Sequence, residues 1–188
     1  LQCIRKCCEF DNQSLDNEVE MDETYVGGKN KNRHANKKVK YSQGRSRKDK
    51  VPVFGMLERG GKVVAKVVPN IHGDTLLSIV NEHVEKGSVV YTDGAGYPGI
   101  NIDYEQRDVD HSKHFYGTTY VTDEGEIIVV STNGIENVWS HFDRMMLGTY
   151  IRVSRKHLQK YVDEFTFRFN TRNFTDSQRF NLLLRNIA

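Results

Sequence analysis

Cysteine is nearly absent from this 188-residue chain. Cys3, Cys7 and Cys8 all fall in the first eight positions and none is left for the rest. An odd, clustered set is a poor disulfide framework, and no second Cys or His pair at zinc-site spacing follows it. Long apolar runs are missing too: no stretch approaches the roughly eighteen residues that a membrane span needs, and no signal-peptide pattern opens the chain. A cytoplasmic location without a membrane partner is therefore expected. No internal repeat is visible. What remains, 37% hydrophobic and 28% charged residues, describes a domain of moderate size with a real core and a wet surface.

Acidic residues are also scarce in one segment. Between Lys29 and Lys50 stand ten basic residues, Lys29, Lys31, Arg33, Lys37, Lys38, Lys40, Arg45, Arg47, Lys48 and Lys50, against a single acid, Asp49. The segment nets +9, and with a total of +2 the remainder carries −7. Asn, Gly, Ser and Lys dominate it and almost nothing apolar is available for burial, so it reads as a loop or arm. A solvated surface loop is the plain reading. Nine net positive charges beside a group of acids are better explained by contacts to phosphates.

Residues 18–26 read as a first strand and Val51 to Glu58 as a second. A tight turn at Arg59-Gly60-Gly61 leads into a third, Lys62 to Val68, rich in β-branched residues. Asp74 to Lys86 shows helical spacing at Leu76, Leu77, Ile79, Val80 and Val84 and is closed by Gly87. Ser88 to Tyr91 is a short buried strand, and a strand-helix-strand crossover of this kind makes a parallel pair. A small helix near Tyr97, a short strand over Tyr104 to Val109, and an irregular or hairpin-like stretch over 111–132 follow, with a turn at Asp123-Glu124-Gly125-Glu126. Helices are expected from Ile135 to Met146, with Asn133 as cap, and from Ser154 to Arg172. Leu1 to Phe10 reads as a short helix within an N-terminal linker, residues 1–16. Three antiparallel strands, then a helix, parallel strands and further helices give an α/β architecture in the order of the ribonuclease-H-like fold.

Acids occupy unexpected places in this pattern. Asp22 and Glu23 interrupt the first strand inside Val19-Glu20-Met21-Asp22-Glu23-Thr24-Tyr25-Val26, and Asp93 ends the short strand in Tyr91-Thr92-Asp93-Gly94. Strands that finish in aspartates bring distant carboxylates together around hard divalent cations. Two such ions suit phosphodiester chemistry. Side chains alternate along a strand, so Glu23 points away from Asp22 and is read as supporting.

These segments resemble the DDE transposases of bacterial insertion sequences, in the ISXO-type group related to Merlin elements. The resemblance also rests on Thr132-Asn133-Gly134-Ile135-Glu136-Asn137-Val138-Trp139-Ser140, on Gly148-Thr149-Tyr150 with Ser154-Arg155-Lys156-His157-Leu158, and on Tyr161 to Asn170. It covers roughly residues 17–187 and implies that 17–188 form a ribonuclease-H-like catalytic domain, with the basic loop 29–50, that cuts DNA at element ends and transfers the 3′ hydroxyl into target DNA. On that pattern Asp22, Asp93 and Glu136 are the catalytic, metal-binding acids, holding two Mg2+ or Mn2+ ions. DNA, at element ends and at the target, is the implied partner, on a homodimer or higher oligomer. Relatives often carry an N-terminal zinc ribbon and a helical DNA-binding segment, so the chain resembles an excised catalytic domain.

Several residues stay open. An acid in a helix's first turn is favoured by the dipole alone, which suits Glu136 without any catalytic role. Some relatives use asparagine as third residue, which keeps Asn137, and after it Asn133, in view. The lysine that relatives place one turn further on is replaced by Asp143, which either removes that basic contact or hands it to Arg144. Trp139 reads as core, with stacking on a flipped base as the alternative. His111, beside His114, is a candidate for a phosphate or water contact. Arg168 and Arg172 read as ion-pair partners, with contacts to DNA as the alternative. A structure-specific metal-dependent nuclease of the same fold, and a DNA-binding transposase derivative without chemistry, are the rival functions.

Overall fold

The computed structural model describes residues 2–9, 13–27, 34–40, 49–93, 97–109, 118–121, 125, 127–151 and 153–186. A five-stranded mixed sheet forms its centre, in the order β3-β2-β1-β4-β5. Strand β1 spans Glu18–Val26, β2 Val51–Glu58, β3 Val63–Val67, β4 Val89–Thr92 and β5 Glu105–Asp108. β1 pairs antiparallel with β2, and β2 with β3; β1 pairs parallel with β4, and β4 with β5. This mixed α/β arrangement is compatible with the ribonuclease-H-like order.

Both faces of β2 are buried, and its period-two pattern separates two cores. Phe54 and Met56 join Val19, Met21, Val64 and Val90 beneath helix α2, Gly73–His83, which contributes Leu76 and Val80. Val53 and Leu57 turn the other way, with Val63 and Ala65, toward helices α3, Asn133–Met145, and α4, Leu158–Asn170. α3 presents Ile135, Val138, Trp139 and Phe142 to that face, and α4 presents Leu158, Val162 and Phe165. A two-stranded hairpin, β6 Thr118–Val121 and β7 Ile127–Val130, precedes α3.

Several boundaries differ from the sequence reading. α2 stops at His83 because Val84 leaves the helix to pair in parallel with Leu15, and Gly87 then turns the chain at φ 88°. The small helix near Tyr97 is a 3-10 turn at Ile100–Ile102. The long helix expected from Ser154 to Arg172 is a 3-10 turn, Arg155–His157, followed by α4. A further helix, α5 at Asp176–Arg185, was not foreseen. Its start is a capping box: the Thr175 hydroxyl accepts from the Gln178 N–H while the Gln178 side chain accepts from the Thr175 N–H. Asn133 is not the cap of α3; Thr132 holds that position and Asn133 is the first helical residue. At the N-terminus the helix α1 is Gln2–Lys6, shorter than the expected Leu1 to Phe10. It lies against α4, where Arg5 meets Glu164 at 2.7 Å. The turn expected at 123–126 lies outside the described residues except for Gly125, whose φ is 83°.

Candidate active site

On the α3 side of the sheet, β1 offers carboxylates where β2 offers Leu57 and Gly55. Val19 and Met21 point toward α2, so alternation turns Glu20 and Asp22 toward α3. Tyr91 is paired with Glu20 in the parallel register of β1 and β4. That pairing ends there and β4 itself at Thr92, so Asp93 leaves the end of β4 next to the part of β1 that carries Asp22. Both aspartates are half-buried. Glu23, on the opposite face as alternation requires, accepts a hydrogen bond from the Tyr97 hydroxyl at 2.6 Å. Burial first, and then the charges of Glu23, Asp22 and Asp93, drive the Tyr97 pKa far upward and keep its proton in place. This buried tyrosine therefore senses all three acids.

Helix α3 reaches this site through its first turn. The opening N–H groups of a helix have no partner within it, and a carboxylate placed there is favoured by the dipole. Here the carboxylate comes from β1: Glu20, 4% exposed, accepts from the Ile135 N–H at 2.9 Å. Its other oxygen accepts from Arg59 Nε, also at 2.9 Å. The Thr132 side chain makes no capping bond; its hydroxyl lies 3.5 Å from Glu136 Oε1, at the outer limit of a hydrogen bond. Glu136 and Asn137 are exposed on the first turn that Glu20 caps.

Trp139 occupies the place beside Asp22. Gly55 is the residue opposite Asp22 across the β1–β2 pair, and a Cβ on Gly55 would stand 2.3 Å from Trp139 Cζ2. The missing side chain is the space that the indole fills, and Trp139, 7% exposed, belongs to the core. That placement is the packing reading, and it leaves the ring no open face for a flipped base.

The donor chemistry of Asp22 and Asp93 fits a hard divalent cation, which takes carboxylate oxygens. Among the described residues, however, no group of three or more His, Cys, Asp or Glu is arranged to hold a metal ion. The charges of Asp22 and Asp93 both bear on Tyr97, and the Glu136 carboxylate lies 3.5 Å from the Thr132 hydroxyl.

The basic loop leaves β1 and enters β2 at the end of the sheet where β4 gives way to Asp93. Lys37, Lys38 and Lys40 are exposed and Lys50 is half-buried, whereas Lys29, Lys31, Arg33, Arg45, Arg47 and Lys48 lie outside the described residues, as do His111 and His114. Arg144 is exposed near the far end of α3, and its Nε donates to the Ser140 carbonyl at 3.1 Å. Arg168 pairs with Glu164 at 3.0 Å, while Arg172 donates to the Gly61 carbonyl rather than to an acid. Sequence reasoning missed Glu20, Arg59 and Tyr97. Glu20 alone carried a visible clue, a charge at a buried parity of a strand two residues before Asp22.

A family model described as an ISXO2-like transposase domain matches residues 14–170. An "Uncharacterized transposase-like protein" of Haemophilus influenzae is 34% identical over 112 residues, which are 58% of this chain and 81% of that relative. No described helix is long and apolar enough to cross a membrane.

Proposed function

This chain belongs to the ISXO2-like transposase family, and we propose that it is a ribonuclease-H-like catalytic domain that cuts DNA at element ends and joins the 3′ hydroxyl to target DNA. The observation that supports the proposal is the parallel pairing of β1 with β4, which brings together the segments that carry Asp22 and Asp93, both of whose charges bear on Tyr97. Asp22 and Asp93 would hold Mg2+ or Mn2+, with Glu136, or else Asn137, completing the set. Two such ions would supply Lewis-acid activation of the attacking oxygen and stabilisation of the leaving 3′ oxygen.

The protein's own contribution is orientation. Glu23 and Tyr97 hold the far side of β1 while Asp22 faces the site. Trp139 packs over Gly55, the residue opposite Asp22, and fills the floor there. The basic segment Lys29 to Lys50, with Arg144, would grip DNA through its phosphates, which gives affinity without base readout. Joining two element ends calls for at least a dimer on the DNA.

Strand transfer of a pre-cleaved end with a free 3′ hydroxyl tests this reading. Wild type should give joined product that depends on Mg2+ or Mn2+, and Asp22→Ala and Asp93→Ala should give none. Hydrolysis without joining would instead identify a nuclease of the same fold. DNA binding with no metal-dependent product would instead identify a DNA-binding derivative without chemistry.

A further inference from the structure

Arg59, in the turn after β2, touches each of the three segments that carry the candidate acids. Its Nε donates to Glu20, two residues before Asp22. Its guanidinium lies over the Tyr91 ring, 3.7 Å from the centroid, two residues before Asp93. Nη1 and Nη2 donate to the carbonyls of Val129 and Ser131, at 3.0 and 2.9 Å, on the segment that leads into α3. Glu20 closes the circuit at the Ile135 N–H, the residue before Glu136.

We propose that Arg59 and Glu20 form a positioning pair that sets the height of α3 against β1 and β4, and so levels Glu136 or Asn137 with Asp22 and Asp93. The inference rests on the catalytic reading above. The strands do not need this pair for their register, because backbone ladders join β1 to β2 and to β4. α3 meets the sheet through apolar side chains such as Ile135, Val138 and Trp139. Packing of that kind tolerates small slides along a helix axis, whereas a charge-assisted bond to a first-turn amide does not. An ion pair with Glu20 buried and Arg59 partly buried is also weak as a pure stabiliser, since apolar side chains of equal volume often serve as well. The planar guanidinium fork can direct separate donors at a carboxylate and two carbonyls, which a lysine cannot reproduce.

Glu20→Gln keeps an acceptor for the Ile135 N–H and removes the nearer of the two carboxylates that face Arg59, leaving Glu18 at 3.5 Å. Arg59→Lys keeps the charge and removes the fork. Val80→Ala, on the buried side of α2 at the opposite face of the sheet, serves as a purely structural comparison. Each full chain is titrated with Mn2+ by calorimetry, assayed for joining across Mn2+ concentrations, and followed by hydrogen exchange at the amides of 135–137. Both positioning variants should fold, raise the half-saturating Mn2+ about tenfold, exchange faster at those amides and bind DNA as wild type does. Val80→Ala should lower the melting temperature and leave half-saturation unchanged. Unchanged half-saturation in both positioning variants, or an equal shift in Val80→Ala, overturns the inference while leaving the catalytic reading intact. A wild type that neither binds Mn2+ nor joins DNA overturns both.

Discussion

The two faces of β1 obey different rules. Toward α2 it presents Val19 and Met21, both fully buried in an apolar cluster with Phe54, Met56 and Val80. Toward α3 it presents Glu20 and Asp22, at the same depth in the sheet where its neighbour β2 has Leu57 and Gly55. One face secures the fold by burial, at roughly 25 cal/mol per Å² of apolar surface. The other gives up that gain at two positions and replaces it with a carboxylate that caps a helix and a second that faces the candidate site. The lesson is that a strand can be half core and half site, with alternation keeping the two from interfering.

Phe54→Ala should show the largest effect. The side chain is fully buried on the α2 face and packs against Tyr97 with ring centroids 6.1 Å apart. Its loss should cost about 4 kcal/mol in stability, measured by denaturant unfolding. Joining activity per folded molecule should keep its metal dependence. A shifted metal optimum would break the separation of faces, because damage would then cross the sheet from α2 to Asp22.

The sheet was largely legible in the sequence, and the reason is alternation. β1 and β2 have the bounds that their β-branched and aromatic residues predict, and β3 differs by one residue at each end. Helix ends were less so, because long-range partners decide them. α2 ends early where Val84 pairs with Leu15, and α3 is capped by Glu20, 115 positions away in the chain. No local pattern around Thr132 announces that cap. The start of α5 was different: Thr175 and Gln178 form a short-range capping box that the sequence does display. At the site, Asp22 and Asp93 stood out as acids in apolar strands. Arg59 did not, since an arginine in a Gly-rich turn looks like any surface residue until the fold lays it over Tyr91.

A second buried carboxylate on the α3 side sharpens the comparison from outside the site. Glu164 on α4 accepts from Arg5 Nε at 2.7 Å, from Tyr150 at 2.7 Å and from Arg168 at 3.0 Å. Burial works against its charge, and these hydrogen bonds outweigh burial and hold its pKa below the ordinary 4.5. A depressed folded pKa means that the stabilisation is present above that value and fades as pH falls through the folded one. Glu164→Gln should therefore cost about 3 kcal/mol at neutral pH, and wild type and variant should converge in acid. Half-saturation by Mn2+ should not move. A metal shift equal to that of Glu20→Gln would show that any buried acid near α3 and α4 perturbs the site, and the special place given to Glu20 would be lost.

Gly55→Ala carries the smallest stability cost and the sharpest test. It lies one residue from Phe54 and faces the other way, so the two substitutions strike opposite faces of the same strand, one by adding an atom and the other by leaving a cavity. An added Cβ would sit 2.3 Å from Trp139 Cζ2 and 3.2 Å from the Ile135 side chain. The indole is part of a packed cluster with Phe142, at 6.1 Å between centroids, and cannot swing clear without moving α3. Overpacking of this kind costs about 2 kcal/mol, less than the Phe54 cavity. The displacement, however, falls on the helix that carries Glu136 and Asn137 and next to the strand position opposite Asp22. Joining activity per folded molecule should drop about tenfold or more, since small misplacements of reacting groups are costly. Trp139→Phe in the same chain should restore part of it by shortening the ring that the new methyl meets. If Gly55→Ala proves less damaging to activity than Phe54→Ala, the division of labour between the faces fails, and the site must draw its geometry from both sides of the sheet.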